Sequence, residues 1–306
     1  MTDSPVVSRL VSRVVCVVLD GLRADVVELL RLRKLQSMIA HGASCRSAQT
    51  VAPSVTAAAM GSLFTGVRPA DHGLNSDRFR LPQPRIALDP MPRVLRDAGI
   101  ATRSFLAQVP WAYRGVARGL ARMAGVTDAR FSGDDANSIL DSARDAIHPA
   151  RRGLFFFHWP DADRAGHAHG WTSRRYMDAA RRLDEALERL DGMFGASSDP
   201  DTLLIALADH GGGGVRFRNH DSTHPHDRTI PIVLSGGRVS HGELAPLSSL
   251  LDVPPTILWA LGVSIPHSWC GRPMTEAFAD VGVGSVALRP GGMPVNTAQR
   301  PMMLAR

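Results

Sequence analysis

The chain has 306 residues, of which 44% are hydrophobic and 21% charged, so it can bury a substantial core as one large α/β domain. Its formal net charge of +6 would favour the approach of an anionic substrate or nucleic acid, and an arginine-rich solvated surface is the alternative. The basic residues are scattered, which argues against a dedicated nucleic-acid-binding protein. Its three cysteines make no C-x-x-C pair, which argues against a thiolate zinc site or a disulfide framework and favours buried free thiols.

The N-terminal stretch bears on cellular location. Arg9 and Arg13 interrupt its apolar residues, and the run ends in Asp20 rather than in a small-residue cleavage site. We therefore expect a flexible N-terminus over residues 1–12 without a signal peptide. Because no apolar run reaches about 18 residues, we also expect no membrane span and a cytoplasmic protein of unknown oligomeric state.

Short apolar runs predict the strands of a parallel sheet that is buried on both faces. The first is 13–19 (RVVCVVL), and 154–159 (LFFFHW) and 203–208 (LLIALA) have the same character. A fourth run, 230–234 (IPIVL), carries Pro231 near its start, which suits an outer position or the beginning of a strand.

Helical patterns lie between these runs, most clearly over 24–40 and 173–190. Strands that alternate with helices predict a doubly wound, mostly parallel central sheet with helices on both faces. We expect one catalytic domain over 13–279, in which 76–135 forms loops and short helices on the substrate side. The Gly- and Pro-rich segment 280–306 predicts a loosely ordered tail.

Metal-ligand residue types lie at or just beyond the ends of the apolar runs. An Asp-Gly step after a strand is by itself more often a turn, and a single histidine is more often structural. Four clusters beside four predicted strands are harder to explain as turns and structural histidines, because burying many ionisable groups together is unfavourable unless cations neutralise them. Mixed carboxylate and imidazole ligands favour two zinc ions, with manganese or iron as alternatives. The clusters are Asp20–Gly21, Asp161–His167, Asp209–Gly211 and His220–His224.

The segment 52–75 (APSVTAAAMGSLFTGVRPADHGLN) contains a candidate nucleophile, Thr56. This threonine directly precedes an Ala-rich helical run, and the start of a helix attracts an anion such as a phosphoryl group. A bound cation would lower the pKa of its hydroxyl and make it a workable nucleophile. Thr56 as a simple N-cap is the alternative, and both interpretations stay open at this point.

These residues resemble the alkaline phosphatase superfamily, especially its type I phosphodiesterase and nucleotide pyrophosphatase branch, over about 14–274. The VVLDG of 17–21 resembles the family strand that ends in a metal-binding Asp. The TGVRPADHG of 65–73 resembles an element whose first Thr follows the family nucleophile by nine residues, which selects Thr56. Sulfatases of the superfamily carry Cys or Ser there, so Thr56 argues against that activity.

The resemblance also implies a ligand set. A D-x-x-x-H pair matches Asp163 and His167, and a D-H-G element begins at Asp209. The last histidine of the family stands eleven residues before the start of a strand, which selects His220, with His224 as the competitor. By this analogy one cation is held by Asp20, Thr56, Asp209 and His210, and the other by Asp163, His167 and His220.

One departure from the family pattern concerns substrate binding. Relatives place an Asn about twenty-one residues beyond the nucleophile, where it binds a nonbridging phosphate oxygen, but this offset lands on Asp77. Asn75 lies two positions earlier, and we predict it as the substrate-binding residue.

The resemblance implies hydrolysis of a phosphodiester or nucleotide pyrophosphate through a phosphothreonine intermediate, with a small phosphate ester or nucleotide as substrate. Hydrolysis of a phosphomonoester is the alternative within the superfamily, and phosphonate cleavage is a further one. From other classes, a phosphoryl-group transferase and a catalytically silent metal-binding protein stay open.

Overall fold

The structure, a computed structural model, describes residues 9–77, 83–147 and 152–278. An eight-stranded sheet forms its centre. The strands are β1 (Arg13–Leu19), β2 (Ala43–Gln49), β3 (Thr102–Leu106), β4 (Asp128–Phe131), β5 (Gly153–Trp159), β6 (Thr202–Leu207), β7 (Thr229–Gly236) and β8 (Gly242–Glu243).

The strands lie in the order β4-β3-β5-β1-β6-β7-β2-β8. All neighbours pair in parallel except β7, which runs antiparallel to both β6 and β2. Every residue of β1 is buried, as expected for a central strand whose sheet is covered on both faces. The predicted mostly parallel α/β sheet is confirmed.

Eleven α-helices connect or flank the strands in the described ranges. Within the described residues, the last helix is followed by a short 3₁₀ turn. No helix of the described residues has an apolar stretch long enough to cross a membrane. The helices are α1 (Ala24–Leu29), α2 (Arg33–His41), α3 (Thr56–Thr65), α4 (Pro69–His72), α5 (Met91–Asp97), α6 (Arg114–Met123), α7 (Ala136–Ala143), α8 (Asp161–His169), α9 (Arg174–Phe194), α10 (Pro225–Arg228) and α11 (Val253–Ala260).

The two clearest helix predictions have different outcomes. The single helix predicted over 24–40 is wrong, because the chain breaks between α1 and α2, where Arg31 has a φ of +49°. The helix predicted over 173–190 is present as α9. Its N-cap, Ser173, accepts a hydrogen bond from the backbone N–H of Tyr176 at 3.2 Å, and the helix continues to Phe194.

The run around Pro231 forms β7, which lies inside the sheet and not at its edge. The pairing of β2 with β7 shifts between Cys45 and Ala48, opposite Pro231. This irregularity accommodates a residue that cannot donate a hydrogen bond to its neighbour, while the Pro231 carbonyl still accepts from the N–H of Ala208 at 3.2 Å. The predicted outer position is therefore wrong, whereas its alternative, a place near the beginning of a strand, is confirmed, because Pro231 is the third residue of β7.

Three other expectations need correction. The segment 76–135 is more than loops and short helices, because it supplies β3 and β4 at one side of the sheet. Leu10 and Val11 are buried and donate backbone hydrogen bonds to Ala260, so the ordered chain begins before residue 13. Cys270 is exposed, whereas the other two cysteines are buried. The predicted tail 280–306 lies outside the described residues.

Candidate metal centre

The candidate ligands meet at one edge of the sheet. Asp20 directly follows β1, Asp209 follows β6, and α8 begins just after β5 with Asp163 in its first turn. The amino end of an antiparallel strand lies beside the carboxyl ends of its parallel neighbours. The segment that leads into β7, which contains His220, therefore reaches the same edge.

Asp20, His158 and Asp209 form the first group, with one potential ligand atom of each lying within 4.8 Å of the others. The Nε2 atom of His158 is 3.2 Å from Oδ2 of Asp20. On the other side, Oδ1 of Asp20 is 3.4 Å from Nε2 of His210. Asp20 thus lies between the two imidazoles.

The second group consists of Asp163, His210 and His220, whose ligand atoms also lie within 4.8 Å of one another. His167 completes it, because its Nε2 is 3.4 Å from Oδ1 of Asp163 and 3.0 Å from Nε2 of His220. The rings of His210 and His220 stack with their centroids 3.8 Å apart. The two groups are continuous through His210.

Backbone carbonyls orient the three histidines of the second group. Each Nδ1 lies within hydrogen-bond distance of a carbonyl oxygen and donates to it, so each Nε2 presents a lone pair to the cluster. Two such lone pairs facing each other at 3.0 Å, as in His167 and His220, are repulsive unless a cation lies between them. The Nδ1 contacts are His210 to Gly211 at 2.9 Å, His220 to Ser54 at 2.6 Å and His167 to Arg218 at 3.0 Å.

Several buried polar atoms of the cluster lack a hydrogen-bond partner among the described residues. They are Oδ1 of Asp20, Oδ1 of Asp163, Oδ2 of Asp209 and Nε2 of His158. Buried polar atoms are almost always satisfied, and carboxylate and imidazole donors are the ones that zinc-class cations take. The residues present therefore fit divalent cations.

Burial and mutual repulsion change the ionisation of the cluster. Burial, followed by the charges of Asp209 and Asp163, raises the pKa of Asp20 well above its usual value. Burial lowers the pKa of His210, but the charges of Asp209 and Asp163 outweigh it and raise that pKa above 6.5. Burial, with the charge of His210, lowers the pKa of His220. The concentration of negative charge thus attracts protons or cations.

Thr56 is the first residue of α3, and Val55 occupies the N-cap position. The N-cap residue makes no side-chain hydrogen bond to this helix end, so the alternative of Thr56 as a simple N-cap does not describe the structure. The Thr56 hydroxyl lies 3.1 Å from Nε2 of His210 and donates to its lone pair. The hydroxyl is half-buried and directed at the cluster.

Gly21 shows why a glycine follows Asp20. Its φ is +71°, and a Cβ added there would lie 2.7 Å from the Cα of Asp163. The Gly21 carbonyl accepts hydrogen bonds from Trp171 Nε1 at 3.0 Å and from the Tyr176 hydroxyl at 2.9 Å. The turn therefore packs the ligand-bearing end of β1 directly against the start of α8.

The structure brings all seven predicted ligand residues together, and it separates the two histidine candidates. His220 is buried in the cluster, whereas Nδ1 of His224 accepts the N–H of His226 at 3.1 Å and caps α10. His158 was missed by sequence reasoning because it lies inside the apolar run of β5. Its position, one residue before the end of a central strand, was the available signal.

The predicted substrate residue is not the one that contacts the nucleophile's helix. Asn75 is exposed, and it is Asp77 that hydrogen-bonds the start of α3, through Ala57. Asp77, and not Asn75, therefore lies beside the residue that follows Thr56.

A family model described as type I phosphodiesterase/nucleotide pyrophosphatase matches residues 14–94 and 95–240, well over half of the chain. The chain belongs to this family. The human protein named GPI ethanolamine phosphate transferase 1 is 26% identical over 131 residues, which make up 37% of this chain and 14% of that protein. This chain thus matches only a small part of that relative's length.

Solved structures of the alkaline phosphatase superfamily share the fold. An alkaline phosphatase PafA mutant aligns with a TM-score of 0.61 at 14% identity, covering 89% of this chain and 99% of its own. Murine ectonucleotide pyrophosphatase/phosphodiesterase 5, inactive and in complex with AMP, gives 0.63 at 13% identity, covering 84% and 97%. A 2-O GAG sulfatase gives 0.66 at 11% identity, covering 91% and 76%. The superfamily comprises phosphoryl and sulfuryl hydrolases and transferases.

Proposed function

We propose that this protein is a two-metal hydrolase that cleaves phosphodiester or nucleotide pyrophosphate bonds through a phosphothreonine intermediate. The observation that carries the proposal is the Thr56 hydroxyl, which lies at the start of α3 and 3.1 Å from Nε2 of His210. A side chain that neither caps the helix nor packs in the core has a hydroxyl free for chemistry.

In this proposal one cation is held by Asp20, Thr56, Asp209 and His210, and the other by Asp163, His167 and His220. Nε2 of His158 lies 3.2 Å from Oδ2 of Asp20, so this imidazole would help to position the Asp20 carboxylate in the first ligand set. Bound zinc, or manganese or iron in its place, would supply positive charge for the phosphoryl oxygens and lower the pKa of a coordinated hydroxyl. The Nδ1 contacts to backbone carbonyls keep the imidazoles oriented for this role.

The residues of the chain define the two steps. Oγ1 of Thr56 loses its proton and bonds to phosphorus, the bond from phosphorus to the leaving oxygen breaks, and the leaving group departs. The N–H groups at the start of α3 favour the anionic phosphoryl group held on Thr56. A water molecule then attacks the phosphorus and the bond from phosphorus to Oγ1 breaks. A proton from this water restores the threonine hydroxyl, and a phosphomonoester is released when the substrate is a diester.

A transferase is the second candidate, and a specific observation favours it: the curated relative is named as a phosphate transferase. The first step is the same. The acceptor of the phosphoryl group is then an alcohol rather than water, so product analysis in the presence of candidate alcohols separates the two functions.

The direct test is hydrolysis of bis-p-nitrophenyl phosphate beside p-nitrophenyl phosphate by metal-stripped protein supplied with zinc or manganese. We expect Thr56→Ala to lower kcat for the diester by about 10³-fold or more, because the nucleophile is lost. Thr56→Ser is the matched control, because it keeps a hydroxyl at the same place and should retain measurable turnover. Equal activity of Thr56→Ala and wild type would exclude Thr56 as nucleophile, and a preference for the monoester would assign a phosphatase.

A further inference from the structure

A carboxylate occupies the anion-attracting end of α3. Oδ1 of Asp77 accepts a hydrogen bond from the backbone N–H of Ala57 at 2.9 Å. Ala57 is the second residue of this ten-residue helix and directly follows Thr56. Asp77 is therefore anchored beside the nucleophile by one of the helix N–H groups that would otherwise face a phosphoryl oxygen.

Asp77 and the metal centre lie beside the same residue. The Asp77 carboxylate accepts from the N–H of Ala57, which directly follows Thr56, and the Thr56 hydroxyl lies 3.1 Å from Nε2 of His210. A phosphoryl group on Thr56 would therefore be close both to the Asp77 carboxylate and to the metal centre.

Phosphate esters differ in the charge that they bring to this place. A monoester carries close to two negative charges at neutral pH, since its second pKa is about 6, whereas a diester carries one. A carboxylate that is hydrogen-bonded beside Thr56 repels the dianion more than the monoanion. The same repulsion favours departure of the monoester that diester cleavage produces.

We propose that Asp77 is a specificity-determining residue that selects phosphodiesters over phosphomonoester dianions. The inference rests on the proposed function, because it assumes that Thr56 is the residue that accepts the phosphoryl group. It narrows the substrate class to esters whose attacked phosphoryl group carries a single negative charge.

The test compares Asp77→Asn with wild type on bis-p-nitrophenyl phosphate and p-nitrophenyl phosphate. We expect the diester-to-monoester ratio of kcat/KM to fall by about threefold, because removal of the negative charge improves the dianionic monoester more than the monoanionic diester. Asp77→Glu keeps the charge and should keep the ratio largely in favour of the diester. Asp134→Asn is the matched control, because Asp134 follows β4 at the same sheet edge but interacts with Gln108 and Arg164.

A binding measurement gives a readout that does not need turnover. In a Thr56→Ala background, Asp77→Asn should tighten the calorimetric Kd of p-nitrophenyl phosphate by about tenfold and that of the diester by only about threefold, because the repulsion is proportional to the charge of the ester. An unchanged ratio and unchanged affinities would overturn the inference. Loss of bound metal together with both activities would also overturn it, because Asp77 would then be a ligand. If wild type cleaved neither ester, the proposed function would fail, and the binding comparison would still decide the role of the Asp77 charge.

Discussion

At the metal centre, backbone carbonyls decide which histidine nitrogen is available. His220 is 2% exposed and donates from Nδ1 to the Ser54 carbonyl, so its Nε2 is the atom left for a cation. His224 lies four residues further on and uses its Nδ1 to cap α10. Two histidines close in sequence thus have different roles because the chain turns between them.

This difference gives a prediction for metal affinity. His220→Ala should weaken zinc binding by about 100-fold, because it leaves only Asp163 and His167 to hold that cation. His224→Ala should leave zinc affinity within about twofold and only loosen α10. Competition of each variant with a chromophoric chelator measures both affinities. The ligand assignment would be wrong if the His224 variant lost zinc and the His220 variant kept it.

At the scale of elements, α2 and α9 are joined by a cap that comes from another helix. The Asp184 carboxylate of α9 accepts the N–H groups of Lys34 and Leu35, both at 2.9 Å, at the start of α2. The Lys34 ammonium is itself buried and pairs with Asp191, which lies about two turns after Asp184 on α9. Because α2 has no side-chain cap of its own at this end, Asp184 supplies it.

Asp184→Ala should therefore lower the free energy of unfolding by roughly 1–3 kcal/mol, since two buried N–H groups lose their acceptor. Asp178→Ala on the same helix removes only exposed ion pairs with Arg181 and Arg174 and should cost about 0.5 kcal/mol or less. Urea unfolding of both variants makes the comparison. Equal costs would show that the contact to α2 contributes nothing beyond a surface ion pair.

At the scale of the whole molecule, the apolar runs were sufficient to predict β1, β5 and β6, because strands buried on both faces are nearly all apolar. β3 (TRSFL) and β4 (DARF) were not predicted, since these two partly exposed strands at one side of the sheet keep polar residues. The break at Arg31 was also hidden, because a helical pattern of apolar residues continues through it.

The site was more predictable than the sheet that holds it. Each ligand cluster adjoins a strand end, so the meeting of the ligand residues at one edge of the sheet followed from the α/β architecture alone. The antiparallel direction of β7 depends on pairing with β6 and β2, which are distant in sequence, and no local pattern encodes it. Likewise the contact of Asp77 with Ala57 required the folded chain, since twenty residues separate them.

The most direct test of the central claim is mass spectrometry of the metal-loaded protein, acid-quenched within one turnover of bis-p-nitrophenyl phosphate. We expect a p-nitrophenyl phosphoryl or phosphoryl group on the peptide that contains Thr56, and none on that peptide in Thr56→Ala. A modified residue elsewhere, or turnover by wild type with no covalent adduct at any quench time, would contradict the claim that Thr56 is the nucleophile.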